Sequence, residues 1–236
     1  MNRVLTLARA EARILIRNRL VAATGVLMPL LIGLFIASTN ADGAWGDIVA
    51  MQLVLMLLFC VYATATTSLA ARKRQLVLKR LRSGELSDVQ ILAGLLAPLL
   101  VLAAVQAVSL IACAVAFGAP LPDSPLPVVL SLVFGSAMSA ALALATVAFT
   151  ASAELAQITV MPLFLAVIAS AIWVLSVEAD AVTTLMHLTP GGALADLARQ
   201  GWERGGALAP AVAGLCVWTG IGYEVAKRWF RWEPRR

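Results

Sequence analysis

Few side chains in this sequence could do chemistry, and their spacing rules out most kinds. The chain has one histidine, His187, and three cysteines, Cys60, Cys113 and Cys216, all far apart. Transition-metal sites need several nitrogen or sulfur donors at short spacing, so no metal centre is expected. The cysteines fall within apolar runs, where a free thiol acts as a small hydrophobe. A lone His in a polar connector is expected to be a surface residue. No GxxxxGK[ST] loop is present to cradle a nucleotide's phosphates. Intramembrane hydrolases need paired acids or an activated nucleophile at membrane depth, and ion-coupled carriers need ionisable groups there. Here the acids nearest to apolar runs, Glu154, Glu178 and Glu224, stand at the ends of those runs, Glu224 beside Lys227 and Arg228. Catalysis by this chain is not expected.

Two segments carry interaction chemistry instead. Residues 72–90 hold Arg72, Lys73, Arg74, Lys79, Arg80 and Arg82 before Ser83-Gly84-Glu85, with Leu76, Leu78 and Leu81 interleaved. That pattern predicts a short helix with apolar knobs that stops near Gly84, and Ser87 is placed to cap the next helix. A solvated loop that merely orients its neighbours is the bland alternative. In residues 3–20, Arg9, Arg13 and Arg17 recur every four positions, opposite Val4, Leu7, Ala8, Ile14 and Leu15. This predicts a helix in the membrane surface, its apolar face broken by Glu11, although a plain basic flank would explain the charge equally well. The long apolar runs contain small or mildly polar residues, among them Thr64, Thr67, Gln106, Ser136 and Ser139. Such residues commonly make close helix contacts; lining a substrate path is the alternative.

These segments must be positioned by membrane-spanning helices. The chain is 61% hydrophobic and only 13% charged, where soluble domains carry roughly 25% charged residues. Runs long enough to cross about 30 Å of hydrocarbon occupy residues 21–38, 48–71, 91–117, 128–150, 158–177 and 207–226. The expected fold is therefore all-α and integral to the membrane, a single domain of six spans. Sixteen of the eighteen Lys and Arg residues fall in residues 3–19, 72–82 and 227–236. Basic residues are retained on the cytoplasmic side, so both termini and residues 72–90 are expected there, in a plasma-membrane protein. The outer connectors, 39–47, 118–127 and 178–206, hold only Arg199 and Arg204. Residues 1–41 are too long and too periodic for a cleavable leader and are expected to stay. The net charge of +5 flanks spans rather than forming a nucleic-acid groove, which leaves anionic lipid or an acidic protein surface as partners.

Proline and glycine shape this frame. Pro29 inside the first span predicts a bend, whereas Pro98 and Pro162 lie near expected span starts, where a missing N–H costs little. In residues 178–206, the pieces Ala181 to Leu188 and Ala193 to Glu203 flank Thr189-Pro190-Gly191-Gly192. Leu194, Leu197, Ala198 and Gly201 share one face of the second piece, and Asp196, Arg199, Gln200 and Glu203 share the other. With Trp202 suited to the headgroup level, the segment predicts a re-entrant or surface-lying hairpin on the outer side.

Three stretches resemble type-2 ATP-binding-cassette exporter permeases: Glu11-Ala12-Arg13-Ile14-Leu15-Ile16-Arg17-Asn18-Arg19 with Met28-Pro29-Leu30-Leu31, Leu78 to Ser87, and Leu185 to Arg199 with Pro190. The six-span layout is similar too. Where the family often has an acidic residue before Leu78, this chain has Arg72-Lys73-Arg74-Gln75. The resemblance implies that the helix bearing Arg9, Glu11, Arg13 and Arg17 is the interfacial connecting helix. It further implies that Arg72, Lys73, Arg74, Leu76, Leu78, Lys79, Arg80, Leu81, Arg82 and Glu85 belong to the element that docks on a separate ATPase subunit. ATP and Mg would be held by that subunit and no cofactor by this chain. A second permease, identical or a sister, would complete a dimer that extrudes a hydrophobic or amphipathic substrate such as a drug, antibiotic, peptide or lipid. The competing readings are an ion-coupled secondary carrier, a heme-exporter-type permease and a non-transporting anchor or sensor subunit.

Overall fold

The computed structural model describes residues 3–17, 27–38, 44–77, 81, 87–203 and 208–230. The described elements are helical: α1 (Arg3–Arg17), α2 (Met28–Ser38), α3 (Trp45–Arg74), α4 (Asp88–Ala116), α5 (Pro125–Phe149), α6 (Ala153–Leu175), α7 (Thr184–His187), α8 (Pro190–Arg199) and α9 (Leu208–Trp229), with a short 3-10 turn at Ala179–Ala181. Helices α3, α4, α5, α6 and α9, of 30, 29, 25, 23 and 22 residues, are long and apolar enough to cross a bilayer. They overlap five of the six expected spans. The sixth, 21–38, is described only through Leu27 and the 11 residues of α2, and the bend expected at Pro29 involves residues outside the described part.

Local signals explain where the helices begin. Ser87 caps α4 with a reciprocal pair: its hydroxyl accepts from the Gln90 backbone N–H at 3.3 Å, and the Gln90 carboxamide oxygen accepts from the Ser87 N–H at 3.0 Å. Ser152 likewise caps α6 through the Leu155 N–H at 3.3 Å, and Pro125 and Pro190 fill first-turn positions of α5 and α8. One proline expectation needs correction. Because α4 starts at Asp88, Pro98 lies well inside the helix and frees the Gly94 carbonyl. Pro162 does stand at a helix start: a turn at Val160 divides α6 into Ala153–Thr159 and Met161–Leu175, and Pro162 fills a first-turn position of the second piece.

Helix α3 is the centre of the bundle. Its apolar window is 72% buried, against 22% for α9 and 28% for α6, so the outer helices turn much of their apolar surface toward lipid. A π-helical stretch, Leu58–Ala63, interrupts α3. There the Tyr62 hydroxyl meets Thr146 Oγ1 at 3.1 Å and the Val160 carbonyl at 3.4 Å, joining α3 to α5 and to the turn in α6.

The connectors gather at two ends. At one, Arg199 reaches Asp47 at 3.4 Å, the Ser124 N–H donates to the Gly201 carbonyl at 3.2 Å, and the Trp202 indole donates to the Pro120 carbonyl at 2.8 Å. Glu11, Arg72, Arg74, Val147 and Glu154 meet at the other. The described parts of the three connectors expected to lie outside thus share one end of the molecule.

Within residues 178–203, α8 departs from the surface-lying alternative. All ten residues of α8 are buried, its polar face included, and α8 packs among α3, α5, α6 and α9. Small residues allow this approach. A β-carbon on Gly191 would stand 1.9 Å from the Val167 carbonyl oxygen, and one on Gly214 of α9 would stand 2.0 Å from that of His187. The Ser170 hydroxyl of α6 accepts from the Gly191 N–H at 3.1 Å, which satisfies an otherwise orphaned donor at the helix start.

Candidate functional site

The basic triplet expected to dock a partner occupies the last turn of α3. Consecutive helical residues diverge by about 100°, so Arg72, Lys73 and Arg74 point three ways. Arg72 forms a two-pronged ion pair with Glu11 of α1. Lys73, only 3% exposed, donates Nζ to the Val147 carbonyl near the end of α5 at 3.1 Å; a cation there also meets the negative end of the helix dipole. Arg74 donates to Glu154 at the start of α6 at 3.1 Å, with both side chains largely exposed.

Arg72 and Lys73 are thus turned inward, and Arg74 alone of the three is exposed. Glu11, which seemed to spoil the apolar face of α1, is 5% exposed. Burial pushes its carboxyl above the ordinary range, and the adjacent Arg72 guanidinium pulls it back. Arg9 and Arg13 are exposed, and Arg17 is the last residue of α1. Leu7, on the same face as Glu11, meets α4 at Gly94.

Beyond the triplet the helix stops at Gln75, and Leu76 takes the left-handed conformation, φ 60. Glycine is the usual residue in such a cap because a Cβ is strained there. Leu76 is exposed, and Leu81 is partly buried against the core. Leu78, Lys79, Arg80, Arg82 and Glu85 lie outside the described residues.

Among the path candidates, Thr64 and Thr67 donate their hydroxyls to the Phe59 and Ala63 carbonyls of their own helix, at 2.8 and 2.9 Å. Gln106 and Ser139 are each 2% exposed, while Thr67 and Ser136 are half-buried.

A second polar cluster was not anticipated from sequence. His187 is buried, not a surface residue, with Nε2 at 2.9 Å from Asp196 Oδ2. Arg199, 1% exposed, donates to Asp196 at 3.1 Å and to the Val177 carbonyl at 2.9 Å, and it lies near Asp47 and Glu203. Gln200 donates to Asp196 at 2.6 Å. Burial and the negative charges of Asp47 and Asp196 raise the Glu203 carboxyl, while Arg199 lowers it. The available signal was Asp196, Arg199 and Gln200 on one helical face amid alanines and glycines: residues that small imply close neighbours all round. Among the described residues, no three His, Cys, Asp or Glu side chains are grouped to hold a metal.

Long apolar helices, packed at both ends by polar connectors, define a multi-pass membrane protein. The sequence profile of the ABC-2 family transporter protein matches residues 20–200, and the chain belongs to that family. It is thus the membrane domain of a transporter whose family normally works with an ATP-binding-cassette ATPase. No curated protein matches the chain.

Proposed function

We propose that this chain is the permease subunit of an ATP-driven exporter in the plasma membrane, with both termini cytoplasmic, and that it moves a hydrophobic or amphipathic substrate out of the cell. The family match carries the reading. The inner-end arrangement supports it: α1 is ion-paired to the end of α3, where residues 75–86 begin. A separate ATPase that binds ATP and Mg docks on that segment, chiefly through Leu78, Lys79, Arg80, Arg82 and Glu85, and its closure tilts the spans. Two permeases, identical or sisters, enclose the path, because one bundle with so tightly packed a centre has little room for a lipid-sized molecule. Thr67 and Ser136, half-buried, are the path candidates nearest to a surface.

The test is reconstitution of the permease with its ATPase in vesicles over a panel of apolar and amphipathic compounds. ATP-dependent movement of at least one compound, with hydrolysis stimulated by it, is the expected result. Transport that persists without ATP would favour an ion-coupled carrier instead. Charge reversal at Arg80 and Arg82 together should release the ATPase during purification while the permease still inserts, and unchanged co-purification would refute this docking site.

A further inference from the structure

The triplet Arg72-Lys73-Arg74 resembles a docking patch in sequence, yet its contacts lie within the chain. Arg72 grips α1 through Glu11, Lys73 grips the end of α5 through the Val147 carbonyl, and Arg74 reaches the start of α6 through Glu154. The partners lie 61, 74 and 80 residues away in sequence, so three separate elements converge on one helical turn. The first two contacts are shielded from water: Glu11 is 5% and Lys73 3% exposed. Charged groups so placed cannot be released to solvent singly without leaving a buried partner unmatched. Exposed pairs such as Arg74 with Glu154 are worth little by comparison. Just after the triplet, Leu76 takes the left-handed conformation that ends α3.

We propose that Arg72 and Lys73 form a mechanical junction rather than a docking surface: they clamp the inner end of α3 to α1 and α5, so that displacement of the segment after Leu76 reaches both elements together. The proposal rests on the reading above for the source of that displacement. Arg72 and Lys73 are then positioning residues. They set how much transport each ATP produces, not whether the ATPase binds.

The experiment uses the permease and ATPase complex in lipid vesicles, with Glu11→Arg, Arg72→Glu and the double exchange. Each single reversal should lower the substrate moved per ATP hydrolysed by about tenfold or more, equivalent to about 1.4 kcal/mol of lost coupling. The ATPase should still co-purify in full amount, and the exchange should restore the ratio to within about twofold of the parent. Lys73→Met, which keeps the apolar stem and removes the donor to Val147, should lower the ratio similarly. Loss of the ATPase from either single variant, or an unaltered ratio, would overturn the junction. If a lone reversal does not accumulate, accumulation becomes the readout: the exchange must restore it, and failure to do so counts against the proposal. If the unmodified complex moves nothing with ATP, the exporter reading fails separately. The junction is then judged by thermal unfolding of the purified chain, in which each reversal should lower Tm by about 5 °C or more and the exchange should recover most of it; additive losses would refute it.

Discussion

His187 Nε2 lies 2.9 Å from Asp196 Oδ2, and the other oxygen of the same carboxylate accepts from Arg199 at 3.1 Å. One buried acid thus joins α7, α8 and, through Arg199, the start of α3 and the Val177 carbonyl just beyond α6. Removing one member of a buried charge network leaves the others uncompensated, at a cost of about 3–5 kcal/mol. Asp196→Ala should therefore lower Tm by about 6 °C or more in detergent-solubilised protein. Asp196→Asn, which preserves shape and part of the hydrogen bonding, should cost less. Equal losses for the two variants would show that volume, not charge, matters here.

Glu203 gives a pH prediction with a defined sign. Its carboxyl is raised above the ordinary value of 4.5, first by burial and then by Asp47 and Asp196, against the pull of Arg199. The folded state therefore favours the protonated form. The group's contribution is fully present below 4.5 and is lost as pH climbs through the raised value. Glu203→Gln, fixed in a neutral form, should be more stable than the parent at pH 7.5, with the difference shrinking as pH falls toward 4.5. Unfolding scans of both proteins across that range check it, and a difference that widens on acidification would reverse the assignment.

Gly191 has no room for a methyl group. Its β-carbon would meet backbone, the Val167 carbonyl, at 1.9 Å, and main chain cannot swing aside as a flexible side chain can. Gly191→Ala should displace the start of α8 from α6 and cost about 1–3 kcal/mol. The expected signature is a lower melting temperature with faster proteolysis within residues 178–203, and wild-type protection of that segment would contradict the packing.

Leu76 makes the opposite prediction. A left-handed non-glycine residue carries about 1–2 kcal/mol of strain, and glycine's added unfolded-state freedom offsets about 0.5–1 kcal/mol of the relief. Since Leu76 is 40% exposed, little packing is forfeited. Leu76→Gly should raise Tm by about 2 °C, and a fall would mean that its side chain contributes more than its backbone costs.

Much of the architecture could be read from composition and period. The apolar runs place five long helices, because a chain in lipid has to satisfy its backbone groups within each segment. Ser87 announces α4 through its own capping geometry, and clustered basic residues separate one set of connectors from the other. Those are local properties, decided within a few residues or by transfer into hydrocarbon. The sequence could not disclose which charged residues would be used internally. Glu11 and Arg72, Lys73 and Val147, His187 and Asp196 are made partners by how helices cross, and a buried ion pair leaves no periodic trace along the chain. For the same reason the polar face of α8 left a re-entrant and a surface-lying helix both open, when its polar residues had partners waiting on α3, on α7 and at Val177. Amphipathicity reports that a face is polar; only the packed structure decides whether water or another side chain answers it.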